Sequence, residues 1–152
     1  MNWYKKYKKG LVMSSVLKDV SFKGKLKKRD NGFVYIDVKD DIVDPFFAML
    51  DEEGAVKPPY FGKDNVGAHI SVISEDEMTE DLKIKELGNE FTFTLRDVKS
   101  TIPEGWDEME RVWFIRLDAP ELNELRKKYN LPATYKAKGH KFHITFAVKK
   151  RK

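Results

Sequence analysis

The sequence predicts an α+β protein of two pseudo-symmetric strand-helix-strand lobes, and three observations lead there. Residues 32–38, 66–73, 90–96, 111–117 and 141–148 alternate apolar and polar side chains as half-buried strands do. Between the first two of these segments, and again between the last two, lies a short stretch with helical punctuation. The closing strand of each half then carries the same four-residue frame, His69-Ile70-Ser71-Val72 in one and His143-Ile144-Thr145-Phe146 in the other.

The first helix is expected within residues 41–50, where Asp41 or Asp44 can cap it and Pro45 suits its first turn. A loop with lysine and proline, Lys57-Pro58-Pro59-Tyr60-Phe61-Gly62-Lys63, leads from it into the strand at 66–73. The second helix is expected over 118–129, with Asp118 as cap, Pro120 in the first turn, Glu121 early, and Arg126, Lys127 and Lys128 late, as the helix dipole favours. Again a loop with proline and lysine, residues 131–136, leads into the last strand. The repetition of strand, helix, loop and strand reads as a diverged duplication within a single domain over residues 1–152. Lobe one covers about 30–75, a connecting stretch with a strand and an acidic loop about 76–108, and lobe two about 109–150.

Composition narrows the chemistry. The 152 residues include no cysteine and three histidines, so thiol nucleophiles, iron-sulfur clusters, disulfides and cysteine-based zinc sites are excluded. Hydrophobic residues at 41% and charged residues at 36% describe a globular chain with a heavily charged surface, and no apolar run reaches bilayer length. The reading is cytoplasmic, with no membrane and no protein partner expected, as a monomer or small homo-oligomer. Net charge is only +4, but lysines cluster at 5–9, 23–28 and 149–152 around an acidic middle, which suits a phosphate-bearing ligand. The Gly-rich and His-Glu signatures of triphosphate hydrolases, dinucleotide enzymes, serine hydrolases and zincins are missing.

In a strand, alternate side chains share a face, so His69 lies with Ser71 and His143 with Thr145, while Ile70, Val72, Ile144 and Phe146 face the core. A single strand histidine is usually structural, but two in one frame ask for a joint account. If the lobes pack about a pseudo-twofold axis, two imidazoles and two hydroxyls meet across a cleft. One neutral imidazole can take a proton from an attacking hydroxyl while a second, protonated, gives one to the leaving oxygen. Ser71 and Thr145 can donate to the non-bridging phosphate oxygens, where charge builds. Neither step needs a metal.

These paired motifs resemble the signature of the 2H phosphoesterases, the superfamily of LigT-like RNA ligases and cyclic phosphodiesterases. The resemblance implies a bilobal α+β fold with a central cleft between two antiparallel sheets. It also implies metal-independent chemistry at nucleotide phosphodiesters, with His69, Ser71, His143 and Thr145 as the catalytic set. Small size and Lys-rich composition are similar to the branch of phage anti-CBASS nucleases, which implies a cyclic di- or trinucleotide substrate and a role as antagonist of bacterial defence. A 2′,3′-cyclic phosphodiesterase or 2′-5′ ligase acting on RNA ends, and a non-catalytic nucleotide-binding module, stay open beside it.

Other residues are candidates for contacting a cyclic oligonucleotide or short RNA. Lys141 shares the His143 face by alternation, and Tyr35 and Arg116 fall on the faces opposite Ile36 and Leu117. Tyr60, and Trp3 or Tyr7 if the N-terminal segment folds over the cleft, offer rings for base stacking. His140 and His143 stand three apart, an offset that points to opposite strand faces, so neither a metal nor a cofactor is expected.

Overall fold

The structure, a computed structural model, describes residues 21–61 and 64–152. Trp3 and Tyr7 lie outside these residues. Seven strands form one antiparallel sheet: β1 (Ser21–Lys28), β2 (Val34–Asp37), β3 (Ala55–Val56), β4 (His69–Ile73), β5 (Glu90–Thr101), β6 (Met109–Asp118) and β7 (His143–Lys150). The helices are α1 (Asp44–Met49), preceded by a 3-10 turn, and α2 (Pro120–Lys128). Among the described residues no helix is long and apolar enough to cross a membrane.

The spatial order is β3-β7-β6-β5-β1-β2-β4. Taken outward from the β1–β5 junction it is symmetric: β1, β2 and β4 on one side match β5, β6 and β7 on the other. The repeat is therefore strand-strand-helix-strand, one strand longer than the alternation suggests, and β5 opens the second half. The two expected sheets are joined at this junction, where Phe22 pairs with Phe93 and their rings stack with centroids 5.8 Å apart. The closing strands of the two repeats, β4 and β7, approach within 8 Å between Cα atoms without pairing, and β3 pairs on the far side of β7.

β1 was hidden by composition. Its lysines at 23, 25 and 27 are exposed while Gly24 and Leu26 are buried, so the alternation is real but has a glycine at an inward position. A β-carbon on Gly24 would stand 2.4 Å from Ile36 Cγ2, so the close approach of β1 and β2 requires the missing side chain.

Both prolines stand in the first turns of their helices as expected, but neither cap does. Val43 and Ala119 occupy the N-cap positions without side-chain hydrogen bonds. Asp44 instead pairs with Lys57 at 3.0 Å, and Asp118 is drawn into ion pairs with Arg96 and Lys141. Each helix packs across the repeat boundary, α1 on β7 and α2 on β4, with α2 also resting on β5 of its own half. Phe46 of α1 meets Phe146 of β7 with ring centroids 6.0 Å apart. Burying one such ring contributes roughly 1.5–3 kcal/mol, and here that energy binds one half to the other.

The late base Arg126 is not on the surface. It is 0% exposed, donating from Nη1 and Nη2 to Glu77 at 2.9 and 2.6 Å, from Nη1 to the Val72 carbonyl at 2.7 Å, and from Nε to the Pro132 carbonyl at 2.7 Å. Burial pushes the Glu77 carboxyl up, but the guanidinium and the backbone groups of Ser74 and Lys136 outweigh it and hold the carboxyl below its usual range.

Candidate active site

β4 and β7 alternate as the sequence requires, with Ile70, Val72, Ile144 and Phe146 in the core and His69, Ser71, His143 and Thr145 half-buried on the other face. The two imidazoles have corresponding backbone neighbours. His69 Nδ1 lies 2.7 Å from the carbonyl of Gly67, and the backbone of Lys141, again two residues earlier, acts on the His143 pKa in the same upward sense. With Nδ1–H donating to Gly67, the Nε2 of His69 is the nitrogen left for proton transfer.

That mooring depends on an unusual backbone. Gly67 has φ +66°, and a β-carbon there would lie 2.4 Å from Asp40 Oδ1, which accepts from the Ala68 N–H at 2.8 Å. Gly67→Ala is expected to lower stability by about 1–3 kcal/mol and to slacken His69; thermal unfolding checks the first and proton NMR of the imidazole the second.

Both imidazoles have lowered pKa values. For His69 the largest cause is burial, partly opposed by the Gly67 carbonyl and the Asp37 carboxylate, with Arg29 adding to the depression. For His143 burial again leads, opposed by the Lys141 backbone, while the charges of His69 and His140 lower it further. The two histidines are thus near enough for the charge of one to act on the other.

The neighbouring strands repeat the symmetry. Tyr35 of β2 pairs in register with Ser71, and Phe114 of β6 with Thr145. Tyr35, 8% exposed, stands edge-on to His69 with centroids 5.9 Å apart and stacks on Phe33 at 5.4 Å. Phe114 lies 5.0 Å from His143. One step along, Asp37 pairs with His69 and Arg116 with His143, so the two halves differ in charge at this position.

Tyr60 packs against His69 with ring centroids 5.1 Å apart, and burial pushes its phenol up to about 12, slightly opposed by Thr145. The expected phosphate contacts of Lys141 and Arg116 meet a different arrangement. Lys141 Nζ is bound to Asp118 at 2.5 Å and lines a hollow of about 410 Å³ with Arg96 and His140. Arg116 is in register with His143, but Asp97 holds its guanidinium through two hydrogen bonds of 2.7 and 2.5 Å. Alternation gives the face of a residue but not the carboxylate that claims its charge. His140 is exposed in the turn after Gly139.

The sequence reading missed Tyr135, whose phenol burial pushes up while Ser71 opposes the shift, and the rings of Phe33 and Phe114. Tyr135 had a signal: it holds the place in the second proline-lysine loop that Tyr60 holds in the first.

A family model described as the Swiss Army Knife, 2H phosphoesterase domain matches residues 34–152, a span that takes in both motifs and all of β2 to β7. Neither the curated proteins nor the solved structures give a significant match. With the family shown over most of its length and both histidine motifs on facing strands, the chain belongs to the 2H phosphoesterases.

Proposed function

We propose that the protein is a metal-independent phosphodiesterase that cleaves cyclic di- or trinucleotide signals, in the role of a phage antagonist of cyclic-oligonucleotide defence. The observation that carries the reading is the matched placement of two half-buried imidazoles on approaching strands, each followed two residues later by a hydroxyl on the same face. Membership in a phosphoesterase family supports the reaction class, and the geometry supports a division of labour.

His69 is the acid and His143 the base. A carboxylate, Asp37, stands beside His69 in register and favours its imidazolium, whereas His143 has a guanidinium in register and feels the positive charges of His69 and His140. A single proton shared by the pair therefore rests on His69. His143 takes the proton of the 2′-hydroxyl as that oxygen bonds to phosphorus. The bond from phosphorus to the 5′-oxygen breaks, and His69 protonates the leaving oxygen. The resulting 2′,3′-cyclic phosphate is opened by water with the roles reversed. Ser71 and Thr145 donate to the non-bridging oxygens.

An internucleotide linkage is favoured over an RNA end by the rings on both sides. Phe33 stands beside one histidine and Phe114 beside the other, both partly exposed, which gives each of two nucleosides an apolar surface. The test is incubation with cyclic di- and trinucleotides, a linear oligoribonucleotide and 2′,3′-cyclic nucleotides in EDTA, with products resolved by chromatography. Linear products from the cyclic oligonucleotides are expected. Turnover confined to 2′,3′-cyclic ends would replace the substrate assignment, and unchanged turnover by a His69→Ala, His143→Ala double variant would overturn the mechanism.

The pH dependence follows from the lowered pKa values. The acid limb of kcat/KM reports protonation of His143 and the alkaline limb loss of the proton from His69. Because both groups are shifted down, the optimum is expected below the ordinary histidine value of about 6.5. Asp37→Asn removes the carboxylate that favours the His69 imidazolium, so it should move the alkaline limb to lower pH and leave the acid limb in place. Movement of the acid limb instead would reverse the two roles.

A further inference from the structure

The face that carries His143 continues beyond it. The Leu117 N–H donates to the Phe142 carbonyl at 2.9 Å, so the pairing of β6 with β7 extends back past His143, and alternation persists there, with Phe142 buried and Lys141 exposed. Lys141 therefore projects on the His143 side, two residues and roughly 7 Å back along the chain. Across from it, Asp118 stands two residues beyond Arg116, the register partner of His143. Lys141 and Asp118 are thus the next cross-strand pair on the catalytic face, joined at 2.5 Å, and they line the hollow of about 410 Å³ together with Arg96 and His140. We infer that this hollow is a second phosphate subsite, built on Arg96, Asp118 and Lys141, which takes the 5′-phosphate of the nucleoside whose 2′-hydroxyl attacks.

Charge sets the hollow apart from the residues in register with the histidines. Those form balanced pairs, Asp37 with Lys27 and Arg116 with Asp97. In the hollow two cations share one carboxylate: Asp118 accepts Arg96 Nε on Oδ2 and Lys141 Nζ on Oδ1. Each cation gives Asp118 a single donor. The terminal nitrogens of Arg96 and the remaining protons of Lys141 have no hydrogen-bond partner among the described residues. Burial pushes the Asp118 carboxyl up, but Lys141 and Arg96 outweigh it and hold it below its usual range, so the three groups carry one net positive charge. A carboxylate between two cations fixes their separation in advance, and the planar fork of Arg96 suits a pair of phosphate oxygens. Thr134, also on the wall, accepts the Gly139 N–H at 2.9 Å on its Oγ1, which leaves the hydroxyl proton for a ligand.

Position decides which phosphate enters. His143 takes the proton of the 2′-hydroxyl, so the attacking ribose lies on its side of the cleft. One ribose separates the scissile phosphate on O3′ from the phosphate on O5′, and one alternation step separates His143 from Lys141. The volume of the hollow lies within the range of small-ligand sites, enough for a phosphate with the edge of its sugar. A cyclic di- or trinucleotide supplies this phosphate from the neighbouring linkage, and a linear chain supplies it from a 5′ terminus.

The inference rests on the phosphodiesterase reading, with His143 as base, for the nucleotide it assigns, and the test adds a readout that does not. KM is compared for a dinucleoside monophosphate, the same dinucleotide with a 5′-phosphate or a 3′-phosphate, and the cyclic dinucleotide. The 5′-phosphate is expected to lower KM about 5- to 10-fold for each cation engaged, and the 3′-phosphate to lower it far less. Arg96→Gln and Lys141→Gln change half-exposed side chains, and thermal unfolding confirms that each variant is folded. Either should bring the ratio of the two KM values towards one. The same collapse for the cyclic dinucleotide would identify the neighbouring linkage as the natural source; a collapse confined to the 5′-phosphorylated chain would identify the terminus. A larger benefit from the 3′-phosphate, or a benefit that survives both substitutions, would overturn the inference. Separately, inorganic phosphate is titrated by NMR, with the Arg96 Nε–H and the His140 ring observed. Both signals should move along one saturating curve, and Lys141→Gln should weaken it. If no diester is turned over but this curve is found, the reaction assignment fails and the phosphate subsite stands. Phosphate that moves only the His69 and His143 signals would sink the subsite.

Discussion

Replacing either His69 or His143 by alanine is expected to lower kcat/KM on a phosphodiester by about 10²–10⁴-fold, with the double variant little worse than either single one. The near-identity of single and double losses is the informative part. Two groups that transfer the two protons of one displacement act as a unit, so removing one already removes the step. Independent roles, such as one histidine binding and the other transferring, would give losses that multiply. The same variants should alter stability in a pH-dependent way. Both imidazoles have folded pKa values below the unfolded value of about 6.5. As pH falls, the unfolded chain takes up protons before the folded one. Their contribution is therefore full above that value and declines below it. An alanine variant should lose part of this decline, so its denaturation midpoint should converge on or pass that of the wild type in acid. A parallel fall at all pH values would mean that the histidines serve packing alone.

Arg126→Met should lower stability by about 3–5 kcal/mol, because it leaves the partly buried Glu77 carboxylate without its guanidinium and the Val72 and Pro132 carbonyls without their donor. Urea unfolding measures this as a drop in midpoint at nearly constant slope. Adding Glu77→Gln should recover part of the loss, since no uncompensated charge then remains. A loss below about 1 kcal/mol would assign the pair the weight of an exposed one. The variant should also reduce activity under conditions where it stays folded. Arg126 joins the Val72 carbonyl of β4 to the Pro132 carbonyl at the start of the Tyr135 loop, so its removal loosens both the strand that carries Ser71 and that loop.

What could be read from the sequence was what short range determines. The four site side chains share a face because a strand alternates, and the prolines open helices because their geometry suits the first turn. The 3.6-residue period does not tell whether a late base such as Arg126 points to solvent or inward to a carboxylate 49 residues earlier. β5 was seen only to residue 96 because a bulge between Leu95 and Asp97 shifts the phase of alternation, after which the strand runs on to Thr101. The symmetric placement of Tyr60 and Tyr135 in their loops was visible; the packing of Tyr60 on His69 depends on how its loop folds back, and nothing local records that.

The junction of β1 and β5 can also be regarded as an interface. Its two strands are equivalent members of the two repeats and run antiparallel, so the contact is isologous, of the kind by which two identical subunits associate about a twofold axis. The chain is thus equivalent to a dimer whose subunits have been fused through residues 74–89. A tether of that length keeps the two at an effective concentration on the order of mM, so association no longer has to be supplied by the surfaces themselves. Fusion also lifts the constraint that both subunits carry the same residue at each position. Asp37 on one side and Arg116 on the other are a difference that a true homodimer could not encode, and this difference gives the site a direction.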